Sequence, residues 1–487
     1  VSEKITNLSE YIEENFGANA TYVEGLLARY RANPGSVDDS WQQYFSGLLA
    51  GTPVSIEGQG TTAKADGRSS APDEGRAAPQ PKPAATAEKA APALAADTAP
   101  KPITGPAKVI VENMEQSLTV PTATSSRNIP VRLLEENRRI INEHLQAKGR
   151  GKVSFTHIIG WAIIKAVRAY PHMNVGYGDV DGKPSRLEHE NVNLGLAIDL
   201  EKKDGSRSLL VPNIKGADKM TFAQFFDAYN DRVKRAREGK LEIADFQATT
   251  VTLTNPGTIG TVASNPRLMA GQSAIVATGA IEYPAEYQAM TAAALSQLGI
   301  SKTITITSTY DHRVIQGAES GLFLAKIHEF LIGQYGFYEE IFNNLDLHYP
   351  PLRWAEDYNP SLLGGNRSAE QAEKQANVLQ LINAYRIRGH LLADIDPLNM
   401  TSHHSAELDM EHFGLTIWDL DREFITGGLH GEKTATLRRI LEILRKAYCG
   451  KVGIEYRHIQ SKEEKDWIRA RVREQFVDGQ PLAIDLK

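Results

Sequence analysis

Between Tyr310 and Gly317 the sequence reads Y-D-H-R-V-I-Q-G, an imidazole flanked by a carboxylate and a guanidinium. Histidine is the side chain whose ordinary pKa lies nearest neutrality, so His312 could take a proton from a weak acid and return it. Asp311 and Arg313 are better suited to pairing with neighbouring charges and holding the loop than to acting on a substrate. A histidine standing alone is more often structural or merely exposed than catalytic, so its weight depends on the elements around it.

Upstream of it, Thr303 to Thr307 alternates Thr with Ile, which predicts a strand with one apolar face. Downstream, Gly317 permits a sharp turn, and Leu322, Leu324, Ile327, Phe330 and Leu331 predict a helix. A rigid strand end would thus deliver His312. Further back, Val131, Leu133, Leu134, Ile140, Ile141 and Leu145 mark one helix face, closed by Lys148 to Gly151. Ser154 caps a second helix, apolar on most sides from Ile158 to Tyr170. Thr221 with Gln224 reads as a capping box, opening a third helix that ends near Gly239. Strands are expected over Val192–Asp199, Leu209–Pro212, Ala248–Asn255 and Ser273–Ile281. Strands and helices mixed over this length predict an α/β sandwich.

Y-D-H-R-V-I-Q-G resembles the D-H-R-x-x-D-G signature of the dihydrolipoamide acyltransferases, the core components of 2-oxo acid dehydrogenase complexes. V-N-L-G-L-A-I-D-L, S-L-L-V-P-N-I-K-G-A-D-K-M-T, A-R-E-G-K-L-E-I-A-D-F-Q, T-V-T-L-T-N-P-G and S-A-I-V-A-T-G-A-I precede it in the family's order. The resemblance implies an acyltransferase sandwich of the chloramphenicol-acetyltransferase type over 108–335. It implies His312 as general base toward the thiol of coenzyme A or dihydrolipoamide, and Thr254 as hydroxyl donor to the oxyanion. Without the resemblance, Thr254 reads equally well as a cap on the Asn255-Pro256-Gly257 turn. In the family the two groups face each other across a subunit interface, so a homotrimer is implied. Gln316 stands where the family has Asp; it hydrogen-bonds but cannot carry that negative charge. If the Asp mainly positions the loop, Gln316 serves as well; if it supports the imidazole electrostatically, transfer is slower.

The flanks differ in character. Residues 1–50 predict two short helices about Asn33-Pro34-Gly35-Ser36, with Trp41, Tyr44 and Phe45 in need of cover, so a docking arm is expected. G-A-N-A-T-Y-V-E and S-V-D-D-S-W-Q-Q-Y-F resemble the N-terminal arm of the thiamine-dependent 2-oxoglutarate dehydrogenases. Residues 51–107 are rich in Ala and Pro and predict a flexible linker. Neither a lipoyl domain nor a subunit-binding domain is legible there, so the lipoyl group is expected in trans from a lipoyl-bearing protein. Residues 336–376 predict an extended connecting strap. Residues 377–487 turn helical and resemble the start of the 2-oxoglutarate dehydrogenase region. No thiamine diphosphate motif is found, so thiamine diphosphate and Mg are expected only downstream of Lys487, or that activity has been lost. In sum the resemblance is to an actinobacterial-type 2-oxoglutarate dehydrogenase fused to a succinyltransferase domain, with dihydrolipoamide dehydrogenase a further partner. The alternative reading is a trimeric scaffold with weak transferase activity.

The bulk composition sets wider bounds. A net charge of −6 gives no footprint for nucleic acid or an anionic membrane. One cysteine, Cys449, excludes an internal disulfide within a chain. His403, His404 and His412 lack the spacing of a metal site, and no metal is expected. With no leader and no long apolar run, a soluble, cytoplasmic protein is expected.

Overall fold

The computed structural model describes residues 27–37, 39–49, 111, 114–201, 207–269, 271–347, 350–357, 367–396 and 405–477. The chain divides into two compact units, Val1–Thr98 and Ala99–Lys487. The expected linker and the pair His403-His404 lie outside the described residues.

In the first unit, residues 27–32 are helical and Pro34–Ser36 forms a turn, with the Asn33 side chain accepting the Gly35 N–H at 3.1 Å. Helix α1 follows (Asp39–Leu49). Phe45 is fully buried, its ring 5.6 Å from that of Tyr30.

The second unit begins with strand β1 (Thr122–Pro130), helix α2 (Arg132–Ala147) and helix α3 (Phe155–Ala169). A hairpin of β2 (Val175–Val180) and β3 (Lys183–Glu188) precedes β4 (Leu194–Leu196). A second hairpin, β5 (Ile198–Glu201) with β6 (Arg207–Leu210), leads to β7 (Asn213–Ile214) and helix α4 (Phe222–Arg237). Strands β8 (Val251–Thr254) and β9 (Ala274–Thr278) are followed by helix α5 (Ala292–Gln297), β10 (Thr303–Asp311) and helix α6 (Gly317–Leu331). The main sheet has the order β1-β10-β9-β8-β4-β7. Its centre, β9-β8-β4, is parallel, while β1, β10 and β7 pair antiparallel.

The sequence pattern explains most of this. Ser154 and Thr221 cap α3 and α4 as expected; Thr221 does so in the expected capping box with Gln224, and Ser154 forms one as well, closed by His157. Ile304 and Ile306 of β10 are buried, and the strand continues past the Thr/Ile alternation through Thr307, Ser308 and Thr309, also buried. Two expectations are corrected. Val192–Asp199 is not one strand: β4 joins the main sheet, and after Ala197, whose N–H is donated to the Leu253 carbonyl, the chain turns away into β5. Residues 336–376 are not all extended either, because helix α7 (Phe337–Asn344) buries Phe337, Tyr338, Ile341 and Phe342. Aromatic and aliphatic residues at helical spacing outweigh the looser pattern that follows them.

Beyond α7, residues 350–357 run along α2. Asn137 clamps them, donating to the Leu352 carbonyl at 3.0 Å and accepting its N–H at 2.8 Å. Helix α8 (Arg367–Arg388), a small hairpin of β11 (Glu423–Ile425) and β12 (Thr434–Thr436), α9 (Leu437–Tyr448) and α10 (Lys462–Val472) complete the unit. Their apolar faces belong to the same core as the sheet. An ion network crosses between α2 and this region: Arg438 pairs with the buried Glu136 and, at 2.6 Å, with Asp421, which also meets Arg132 at 2.7 Å.

Candidate active site

His312 stands one residue beyond the β1–β10 ladder, whose last pair is Thr122 with Asp311. Its N–H is donated to the Pro121 carbonyl at 2.9 Å, which fixes the backbone, while the side chain is exposed. The ring lies 5.7 Å from that of Tyr310.

Asp311 and Arg313 hold the loop by pairing with each other. The buried Asp311 carboxylate accepts the Arg313 N–H at 3.0 Å, Nε at 2.9 Å and Nη2 at 2.6 Å. The hydrogen bond to Asp311 raises the Arg313 guanidinium above its ordinary pKa and keeps it charged. Arg313 in turn lies 3.7 Å from the centre of the Tyr177 ring, a cation–π contact. Arg186, from the same hairpin as Tyr177, donates to the Val314 carbonyl at 3.0 Å. Tyr177 and Arg186 were not singled out from sequence, and no local signal marks them. They reach the loop from a hairpin more than a hundred residues earlier.

The chain turns at His312 to Ile315, with Val314 and Ile315 donating to the Asp311 carbonyl at 3.2 and 3.0 Å. Gly317 is therefore not the turn residue. It opens α6, its φ is not among the positive ones, and a Cβ there would make only an ordinary 3.6 Å contact with the Tyr310 hydroxyl. Gln316 is the N-cap of α6, and its N–H is donated to the Glu319 carboxylate at 2.7 Å.

Thr254 ends β8, half-buried. It does not cap the turn that follows: the N-cap of Pro256–Ile259 is Asn255, without a side-chain cap bond. Asn255 instead donates to the Thr156 hydroxyl at 3.0 Å. The loop lies tight on the end of β9, because a Cβ on Gly257 would overlap Gly279, and one on Gly279 would overlap the Val262 carbonyl.

Within one chain the two candidate groups do not meet. Thr254 is in register with Ala277, and Ala277 with Thr307. Continuing from Thr307 to His312 covers about 17 Å along the strand, with two further strand spacings of about 4.8 Å across the sheet. Because β10 runs antiparallel to β8, the two groups stand at opposite ends of the sheet. No metal-holding group of His, Cys, Asp or Glu occurs among the described residues.

The second unit thus presents a histidine at the strand end of a mixed sheet backed by helices. Residues 95–335 match the family described as 2-oxoacid dehydrogenases acyltransferase (catalytic domain). Residues 15–52 match the 2-oxoglutarate dehydrogenase N-terminus. Over 489 residues, 94% of this chain, it is 44% identical to a multifunctional 2-oxoglutarate metabolism enzyme of Mycolicibacterium vanbaalenii, covering 38% of that protein. A protein of the same description from Mycobacterium sp. (strain JLS) is 51% identical over 371 residues, covering 76% of this chain and 29% of the relative. The chain thus spans well under half the length of these curated relatives. Among solved structures, a probable dihydrolipoamide acetyltransferase from Listeria monocytogenes is 25% identical, covering 48% of this chain and 94% of that one, with a TM-score of 0.41.

Proposed function

We propose that this domain moves a succinyl group between dihydrolipoamide and coenzyme A within a 2-oxoglutarate dehydrogenase complex. His312 removes the proton from the thiol of coenzyme A, and the thiolate sulfur attacks the carbonyl carbon of the succinyl thioester. The carbonyl oxygen becomes an oxyanion that accepts a hydrogen bond from the Thr254 hydroxyl. Collapse breaks the bond to the lipoyl sulfur, which leaves as a thiolate and recovers the proton from His312. A thiol with an ordinary pKa of about 8.5 is mostly protonated at neutrality, which is why a base is needed. The observation that carries this reading is an exposed imidazole at the end of a rigid strand, in a loop locked by Asp311, Arg313 and Tyr177.

The opposite placement of Thr254 and His312 on one sheet supports a site shared between two subunits, as in a trimer. The lipoyl group is supplied by a separate lipoyl-bearing protein, with dihydrolipoamide dehydrogenase as a further partner, in the cytoplasm. The succinyl preference rests on the 2-oxoglutarate dehydrogenase match of residues 15–52 and on the relatives' descriptions. The test is succinyl transfer from succinyl-coenzyme A to an added dihydrolipoyl domain. His312→Ala should lower the rate by roughly 10²- to 10⁴-fold. Equal rates for the two proteins would favour the second reading, a scaffold with weak transferase activity, which Gln316 in place of an acidic residue supports.

A further inference from the structure

Thr254 is the last residue of β8, and its hydroxyl has no hydrogen-bond partner among the described residues. With no side-chain bond to set its aim, the direction of that hydroxyl depends on the backbone around it. Along β8, Val251 and Leu253 are buried in the core beneath the helices, so Thr254 projects from the other face of the sheet. Asn255 then returns to the helix side, and there it is anchored.

An asparagine beside a Pro-Gly turn commonly bonds its own backbone two residues on. Asn255 makes no such cap bond; its Nδ2 donates at 3.0 Å to Thr156 Oγ1, on a helix 99 residues earlier in the chain. Its carbonyl accepts from Thr258 Oγ1 at 3.2 Å. The far end of the bond is held firmly. Thr156 is the second residue of α3, between the capping pair Ser154 and His157. The segment entering α3 is clamped to α2 by Asn142, which accepts the Val153 N–H at 2.7 Å and donates to the Val153 carbonyl at 3.0 Å. Arg138 Nε donates to the same carbonyl at 2.9 Å, and its guanidinium lies over the Phe155 ring.

We propose that Asn255 and Thr156 are positioning residues for the transfer reaction: their hydrogen bond fixes the end of β8 so that the Thr254 hydroxyl points at the developing oxyanion. This rests on the proposed reaction and on the place of Thr254 in it. A donor stabilises an oxyanion only from hydrogen-bond distance of where that oxygen will stand, and an aim set in advance needs no reorganisation as the charge forms. Release of Asn255 frees the backbone at Thr254 to shift, and a misplacement of about 1 Å is enough to lose roughly a hundredfold in rate. In this scheme neither residue touches substrate, and both act through Thr254.

The test is a kinetic cycle on the full chain, with succinyl-coenzyme A and an added dihydrolipoyl domain as substrates. Asn255→Ala and Thr156→Val should each lower kcat by roughly ten- to a hundredfold, with KM for either substrate little changed. Thr156→Ser, which keeps the hydroxyl, should recover most of that loss. In a Thr254→Ala background, itself slower by roughly 10²- to 10³-fold, neither substitution should lower kcat further. General damage to the fold would instead lower the rate by the same factor in both backgrounds, and that result overturns the inference. So does an unchanged kcat in both folded variants, or a change confined to KM. Each of these outcomes leaves transfer by the wild type, and with it the proposed reaction, standing. A wild type that moves no succinyl group, or Thr254→Ala at the wild-type rate, overturns the inference and the proposed site together.

Discussion

His157 shows how a side chain with apparent catalytic geometry does structural work. Its Nδ1 lies 2.6 Å from the Ser154 hydroxyl, the spacing of a nucleophile and its base, yet it accepts the Ser154 N–H at 3.0 Å and closes the capping box of α3. Burial drives its pKa down to about 4. The unfolded chain takes up the proton near pH 6.5 and the folded chain only near 4. The stability is therefore complete above 6.5 and is lost as pH falls between those values, by about 3 kcal/mol. His157→Gln keeps an acceptor at the same capping position without a titrating group. Urea unfolding at pH 7 and pH 4.5 should show a smaller acid loss in the variant than in the wild type. At Gln316, replacement by Asp places a better N-cap on α6 and should stabilise by about 0.5–1 kcal/mol, read from the urea midpoint. If Asp at this position only orders the loop, transfer changes little; a clear rise in rate would show that charge beside His312 matters.

At the level of elements, the loop after β8 and the end of β9 are held by contact between backbones. Gly279 donates to the Thr305 carbonyl at 2.8 Å, and Ala280 to the Thr261 carbonyl at 2.8 Å, so the segment after β9 is tied both to β10 and to the loop that a methyl group would have to displace. Gly279→Ala should cost about 2 kcal/mol or more and displace Thr254, lowering transfer along with stability. Chemical denaturation and the transfer assay, run on the same preparation, check both effects. A variant of normal stability and rate would show that the loop yields. The glycine itself was visible in S-A-I-V-A-T-G-A-I, but not the carbonyl pressed against it, because Val262 arrives from another loop.

Over the whole molecule, the antiparallel setting of β10 against β8 places His312 and Thr254 at opposite ends of one sheet. A shared site follows a mixing rule. His312→Ala and Thr254→Ala, each nearly inactive alone, should recover about a quarter of the wild-type rate when co-expressed in equal amounts, because a random interface then carries both native residues one time in four. No recovery in co-assembled protein would exclude a site shared by two chains. The same sheet also shares its core with the helical region after it, and Glu136, Arg438 and Asp421 tie the two together. The boundaries expected at 335 and 376 mark no break in the packing. A helix at 337–344 and a segment at 350–357 clamped by Asn137 pack there, and α8 begins at Arg367, before the second boundary.

The amino-acid order by itself determined the helix caps at Ser154 and Thr221, the strand that carries His312, and the loop holding Asp311 and Arg313 beside it. These depend on neighbours a few residues apart, where periodicity and capping chemistry act. Only the tertiary structure decided that Tyr177 and Arg186 brace that loop, that Gln316 begins a helix, and that Thr254 stands far from His312 within a chain. Each of those depends on strand order and direction, which arise from packing between segments separated by tens to hundreds of residues and leave no mark in local spacing.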